Sequence, residues 1–338
     1  MKPLVSICIP TYNSAQYIED TLKSITKQTY ENIEIIIGDN ASDDDTEQII
    51  RRYILEHDSR ITYYKNVENI GAAGNCNKLI HKSNGDFIAI YHSDDIYSCE
   101  IVEKQVDYLI RNEKMAGCFT NFSMINSDGE HLKSAHIIKS DAINKYVVEF
   151  NYQDAINSIV DNGVNPFCCP SSMIRKSTYD FVGGYDEKQK YIFDQDMWIR
   201  ILECSNLAVI NEPLIKYRIH SKQLSHIYTD ISRSSDSPMI EHISQHLICK
   251  YGQVQYKKNY KAKINRLLAV DDIRFAFHLL KKNRELADFN QYKKFIVNSK
   301  KKYLFKVSER DFLRFSLFQW LPMRVTYCLL KTINKVTS

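Results

Sequence analysis

Gly85-Asp86-Phe87-Ile88-Ala89-Ile90-Tyr91-His92-Ser93-Asp94-Asp95 is a short, mostly apolar run that ends in two adjacent carboxylates. An apolar run of this length, rich in Ile and aromatics, reads as a strand buried on both faces. The two aspartates then sit where the strand ends. Neighbouring carboxylates repel each other and lose hydration unless something positive meets them. A divalent metal bound to a phosphate group is the natural counter-charge.

Working outward, residues 4–9 read as a first strand, broken by Pro10-Thr11-Tyr12-Asn13. Ser14 is placed to cap a helix that carries Ile18, Leu22 and Ile25 at helical spacing. Residues 33–37 form a second strand that ends in Gly38-Asp39-Asn40. Asp43, Asp44 and Asp45 precede a helix with Ile49, Ile50 and Tyr53, and acidic residues suit a helix N-terminus. A short strand over 61–64, a loop over 69–74 and a helix through Leu79 lead to the opening stretch, the fourth strand. Strands alternating with helices at this spacing predict a parallel sheet with right-handed crossovers. In such sheets ligands collect outside the carboxyl ends of the strands. Tyr12, Asp39 and Asp94-Asp95 all lie just past strand ends, so three separate features converge on one rim.

Further on, the pattern predicts a helix over 100–111, a strand over 117–125, a turn at 127–129 and a helix over 152–161. An irregular loop covers 165–170, and Gly183-Gly184-Tyr185-Asp186-Glu187 turns the chain. Asp194 and Asp196 open a helix with Trp198, and a short strand covers 207–210 before Tyr217-Arg218-Ile219-His220.

The chain has 338 residues, 44% apolar and 25% charged, which are ordinary globular values. The nine Cys include no Cys-x-x-Cys, and adjacent Cys168 and Cys169 suit neither an ordinary disulfide nor a zinc knuckle. They read as small buried residues in a reducing compartment. Pro3 follows the N-terminus too soon for a signal-peptide apolar region, and no run of 18 apolar residues occurs. A cytoplasmic location is expected. Charge is uneven: residues 255–338 hold 20 Lys and Arg against 6 Asp and Glu, while the rest holds 25 against 35. A basic tail behind an acidic front points to an anionic surface as its partner.

The series Pro10-Thr11-Tyr12-Asn13, Asp39, Asn69-x-Gly71, Ser93-Asp94-Asp95, Gly183-Gly184-Tyr185-Asp186, Asp194-x-Asp196-x-Trp198-x-Arg200 resembles the family 2 glycosyltransferases of GT-A fold. Among them it is similar to bacterial enzymes that build surface polysaccharides: capsule, O-antigen and lipooligosaccharide. The likeness covers about residues 3–222 and rests on the order and spacing of loose motifs. It implies an α/β, Rossmann-like mixed sheet flanked by helices. The nucleotide-binding half would be about 1–97 and the acceptor half about 98–222. Residues 223–338 would be a mostly helical, basic extension. The implied reaction moves a sugar from a UDP- or dTDP-sugar to an acceptor hydroxyl, on a glycan or lipid-linked glycan, with inversion.

The same resemblance assigns the residues. Pro10, Thr11, Tyr12, Asn13, Asn69 and Gly71 surround the nucleotide. Asp39 accepts from the base, and Asp94 meets ribose or a metal-bound water. Asp95 ligates Mn²⁺ or Mg²⁺, with His220 as a candidate second ligand, and Asp194 is the catalytic base. The stretch Cys168-Cys169-Pro170-Ser171-Ser172 approaches the acceptor, which makes Ser171 and Trp198 acceptor candidates. Two positions depart from the pattern: Ser93 stands where the family has the first acid of its DXD motif, and Phe193 where it has Glu.

Each of these residues also has a plain structural use. Asp94-Asp95 can cap a helix, Asp39-Asn40 can form a turn, and Tyr12 can pack in its loop. Asp194 and Asp196 can complement a helix dipole, His220 can be a satisfied structural His, and Trp198 reads first as core. Two other function classes stay open. A nucleotidyltransferase would carry a Gly-rich, Arg-containing loop where this chain has Pro10-Thr11-Tyr12-Asn13. A non-catalytic glycan- or membrane-binding relative would keep the fold without the chemistry.

In the tail, Ile264, Leu267, Leu268, Ile273, Phe275, Phe277, Leu279 and Leu280 predict helices. Residues 311–338 mix aromatic and Leu residues with Arg and Lys. They read either as helices packed on the catalytic domain or at an oligomer interface, or as a peripheral contact with the inner face of the cytoplasmic membrane. Nucleic acid is not an expected partner, because no binding module accompanies the basic residues.

Overall fold

The structure is a computed structural model that describes residues 2–57, 60–135, 145–163, 165–221, 223, 238–268 and 271. The chain divides into two compact units, 1–228 and 229–338.

The first unit is built on one mixed sheet. Its strands are β1 (Val5–Thr11), β2 (Ile33–Asp39), β3 (Ile61–Lys65), β4 (Phe87–Ile90), β5 (Ile96–Tyr97), β6 (Met115–Ile125), β7 (His131–Ala135), β8 (Val147–Phe150), β9 (Ser172–Arg175) and β10 (Asn206–Arg218). The order is β3-β2-β1-β4-β9-β6-β10-β5, with β7 on β6 and β8 on β10. β1 pairs in parallel with β2 and β4, β2 with β3, and β6 with β10. β9 runs antiparallel between β4 and β6, so the expected parallel sheet holds for the first four strands and becomes mixed beyond them.

Alternation along the strands sorts the core into two layers. Ile7, Ile9, Ile35, Ile37 and Ala89 face α1 (Ile18–Ile25), α2 (Thr46–His57) and α4 (Ile101–Arg111). Cys8, Ile36, Ile88 and Ile90 face α3 (Gly71–Lys82), α5 (Tyr152–Asn162), α6 (Lys176–Val182) and α7 (Phe193–Leu202). Strands covered on both faces read as continuous apolar runs, which is how β4 stands out. A Cβ at Gly38 would lie 2.9 Å from Asn75 Oδ1 and 3.0 Å from Leu79, so glycine lets α3 pack directly on β2.

After β3 the chain returns across the sheet to place β4 on the far side of β1. The β1–β4 boundary is therefore a switch point, and the ends of β1, β2 and β4 open on the same rim.

Several elements differ from the sequence pattern. α3 begins at Gly71, so the loop ends earlier than the Asn69–Gly74 stretch implies. Ser14 caps nothing through its side chain: α1 starts at Ile18, and the Ser14 hydroxyl turns to Ser93. β10 spans Asn206–Arg218, far beyond 207–210, because the pairing with β6 absorbs Pro213 through register shifts on either side of it. The β-strand at 172–175 has no counterpart in the sequence pattern.

In the second unit, α8 (Pro238–Asn259) breaks at Gly252, where φ is 75°. Residues 261–268 are helical, and Ile264 and Leu267 are buried. No helix among the described residues is long and apolar enough to cross a membrane. Leu268 is half-buried, and the apolar positions from Ile273 on, including 311–338, lie outside the described residues.

Candidate active site

The rim is held by loops that bond to one another. Asn40 N–H donates to Thr11 O (2.8 Å), Asn13 N–H to Ser42 Oγ (2.9 Å) and Asp43 N–H to Asn13 Oδ1 (3.0 Å). Pro10 and Thr11 pair in register with Gly38 and Asp39, which buries Thr11. Tyr12 is the side chain that projects from this loop, 50% exposed.

Asp39 is fully buried at the end of β2. Its Oδ1 takes the Ser42 N–H (2.8 Å) and its Oδ2 the Tyr63 hydroxyl (2.6 Å). Burial first, then the bond to Asp39, pushes the Tyr63 phenol far above its ordinary value, so it stays a donor. Behind them an asparagine cluster closes the loop before α3. Asn40 donates to Asn69 Oδ1 (2.8 Å), Asn66 donates to Asn40 Oδ1 (3.0 Å), and Asn75 donates to Gly38 O (2.7 Å). Asn69 Oδ1 also receives the Gly71 N–H (2.9 Å). The carboxamide oxygen of Asn69 is thus engaged within the loop.

The paired carboxylates sit in a different environment. Asp95 is 0% exposed. Its Oδ1 accepts the Arg218 N–H (2.8 Å), while its Oδ2 is buried with no hydrogen-bond partner. Burial, and then the charge of Asp94, pushes its carboxyl well above the usual range. Burial acts on Asp94 in the same sense, but the His220 bond and the nearby His92 bring it below its ordinary value. Asp94 Oδ2 lies 2.9 Å from His220 Nε2, and His220 Nδ1 is buried without a partner.

Arg218 holds this corner together. It is only 2% exposed, at the end of β10. Its Nε donates to Asp94 O (2.8 Å), its Nη1 to Ser127 O (3.0 Å) and its Nη2 to Asp20 Oδ2 (3.3 Å). The guanidinium lies over the Tyr17 ring at 4.7 Å. β5 follows Asp94-Asp95 directly and pairs antiparallel with β10, which brings Arg218 into place. Ser93 is also committed: its hydroxyl lies 2.7 Å from that of Ser14, tying the β4 end to the loop after β1.

His92, Asp94 and Asp95 each offer a ligand atom, and these atoms lie within 4.8 Å of one another. Among the described residues the imidazole in this group is His92, not His220. The orphaned Asp95 Oδ2 and the hard oxygen donors fit a divalent cation.

Asp194 opens α7 and is half-buried. Burial raises its carboxyl above the usual range, against the N–H groups of the helix start. The Cys168 thiol is within electrostatic reach of both Asp95 and Asp194; burial first, then these charges, pushes it far up. It is no nucleophile. Asp196 is tied to Arg200 Nε (2.7 Å), and Arg200 also holds Gly184 O (2.7 Å) and Val182 O (2.9 Å).

The two acceptor candidates belong to the core. Ser171 is fully buried, and its hydroxyl donates to Cys168 O (2.7 Å). Trp198 is 1% exposed, edge-on to Phe119 at 4.8 Å. Buried in this way, neither side chain is presented to an acceptor.

Comparison with known proteins agrees with this architecture. TuaG of Bacillus subtilis (strain 168), provisionally named a teichuronic acid biosynthesis glycosyltransferase, is 31% identical over 66% of this chain and 82% of its own length. An uncharacterized glycosyltransferase of Rickettsia prowazekii (strain Madrid E) is 31% identical over 65% of each chain. The chain thus spans a little under two thirds of that relative's length. The structure of S. aureus TarS residues 1–349 in complex with UDP-GlcNAc superposes with a TM-score of 0.57 at 15% identity, over 96% of this chain and 88% of the other. At that identity the likeness is one of fold. The model for glycosyl transferase family 2 matches residues 6–182, just over half of the chain, and the chain belongs to that family.

Proposed function

We propose that this protein transfers a sugar from a UDP- or dTDP-sugar to an acceptor hydroxyl of a bacterial surface glycan, with inversion at the anomeric carbon. The observation that carries this reading is the wholly buried, unpartnered Asp95 Oδ2 at the switch point of the sheet, on the rim that also holds Asp39 and Tyr12. Further support comes from the UDP-GlcNAc held in the TarS complex and from the teichuronic acid in the name of TuaG.

In this reading Tyr12 offers its exposed ring to the nucleotide base. Asp39, set by Ser42 and Tyr63, is the fixed acceptor beside it. Asp95, with Asp94, would hold Mn²⁺ or Mg²⁺. A cation there supplies Lewis acidity to a diphosphate leaving group. Asp194 takes the proton of the acceptor hydroxyl as the new bond forms, and its desolvated carboxylate is a stronger base than an ordinary one. Arg218 holds the main-chain carbonyl of Asp94 and the carboxylate of Asp95 and is a positioning residue.

The test is a thermal-shift panel of UDP- and dTDP-sugars with Mn²⁺, followed by transfer assays on the donor that shifts most. A donor present at a hundred times its Kd should stabilise the fold by about 2.7 kcal/mol. If no nucleotide sugar shifts the melt and none is turned over, the reading falls.

A further inference from the structure

We propose that His92 is a ligand of the divalent cation at this site, so that the centre is a mixed nitrogen–oxygen site. The inference rests on the sugar-transfer reading only in expecting a cation there. Four observations lead to it.

First, Ser93 offers no ligand: it is buried, and its hydroxyl is joined to Ser14 at 2.7 Å. Second, Asp95 points one unpartnered oxygen into the corner, while Arg218 occupies the other. Third, His92 is fixed and available. Its main-chain N–H donates to the Tyr97 hydroxyl (2.6 Å), which holds the backbone there, and Tyr97 stacks on Tyr91 at 4.2 Å. A ring nitrogen of His92 lies within 4.8 Å of carboxylate oxygens of both Asp94 and Asp95. Ligands sharing one ion with bonds of about 2.1–2.2 Å stand roughly 3–4.4 Å apart, so the three atoms need only draw together on binding to share one cation. Fourth, His220 has a different task. Its Nε2 is bonded to Asp94 Oδ2, and it orients that carboxylate from outside.

An imidazole ligand changes which ion the site prefers. Mg²⁺ favours oxygen donors and water, whereas Mn²⁺ and Co²⁺ accept nitrogen more readily. The centre should therefore favour Mn²⁺ over Mg²⁺ more strongly than an all-oxygen site does.

The experiment is pulsed EPR of the full chain loaded with Mn²⁺, alone and with UDP. Nitrogen modulation of the Mn²⁺ echo is expected, and ¹⁵N-histidine labelling should alter it. The modulation should survive in His220→Gln. In His92→Gln it should vanish, or Mn²⁺ affinity should fall by about 10-fold or more, the scale of losing even an outer partner. If His92→Gln does not fold, the wild-type and His220→Gln spectra decide. Bound Mn²⁺ without nitrogen coupling overturns the proposal and leaves the sugar-transfer reading standing. Coupling lost in His220→Gln but kept in His92→Gln overturns it in favour of His220. Absence of Mn²⁺ binding with UDP present removes the cation itself, and the proposal with it.

Discussion

Two corners of the same rim are built on opposite principles. At the β2–β3 corner, Asp39 is buried with both oxygens bonded, and Asn40, Asn66, Asn69 and Asn75 close a network behind it. At the β4–β10 corner, Asp95 is just as buried, yet one oxygen and the neighbouring His220 Nδ1 have no partner. A satisfied buried network holds a shape, while an unsatisfied buried charge lowers stability until a ligand completes it. The first corner is therefore a preformed socket, and the second is a site prepared for positive charge. Removing a hydrogen-bond partner should lower stability at the first, while neutralising the unpartnered carboxylate should raise it, at the expense of function, at the second.

The largest effect is expected at Asp194, which shares the desolvated character of the second corner. Asp194→Asn should lower the transfer rate by roughly 10²–10⁴-fold, the usual range for a general base, with donor binding intact. The wild-type rate should fall with acid through a pKa above the ordinary carboxylate value, because burial favours the protonated form. The stability signs follow from the same shift. A carboxyl whose folded-state pKa is raised contributes stability below its unfolded pKa and loses it as pH rises through the folded one. Asp194→Asn should thus melt above the wild type at neutral pH and match it in strong acid. Equal melting at neutral pH would show that Asp194 is solvated.

Next comes Asp95→Asn, which keeps an oxygen for the Arg218 N–H and removes the buried charge. Transfer should drop by roughly 10²–10³-fold, while the melting temperature stays level or rises. A lower melting temperature would mean that Asp95 is satisfied after all and would erase the contrast between the corners.

Arg218 tests what supports the second corner. Arg218→Met removes donors from Asp94 O, Ser127 O and Asp20 and leaves two buried carbonyls bare. A destabilisation of about 2–3 kcal/mol is expected by urea unfolding, the scale for hydrogen bonds involving a charged group. Little change would show that the β5–β10 pairing alone sets the turn.

The legibility of the chain divides along similar lines. β1, β2 and β4 are readable because each is an apolar run buried on both faces, and β3, an edge strand with only Ile61 buried, is placed by the regular spacing of the helices around it. The rim positions of Tyr12, Asp39, Asp94 and Asp95 are readable because each lies at or shortly past a strand end. β9 is not: Ser172–Arg175 is four residues between a proline and a helix, and its strand character comes from β4 and β6 on either side. β10 looks short in the sequence because Pro213 reads as a stop, whereas register shifts carry the pairing past it. Arg218 is hidden as a support because its bonds reach Asp94 and Asp95 across more than a hundred residues, one of them through its main-chain N–H. His92 carries a local signal, two residues before Asp94 at the turn that follows β4. Ser171 and Trp198 are drawn toward the acceptor by their neighbours in sequence, but their burial depends on packing across the sheet.

The smallest effect tests the first corner. Tyr63→Phe removes the hydroxyl that bonds Asp39 Oδ2 at 2.6 Å and keeps the ring under Arg51. It leaves a buried carboxylate oxygen bare, which costs about 1–2 kcal/mol. Stability should fall here, the reverse of Asp95→Asn, although both changes touch a buried aspartate on one rim. If Asp39 reads the base, KM for the donor should rise several-fold with kcat little changed, because the base does not take part in bond breaking. Tyr63→Phe in an Asp39→Asn background should then add little further to KM, since Tyr63 acts through Asp39. Fully additive losses would show that Tyr63 touches the nucleotide in its own right, and the socket would be a pair of independent contacts.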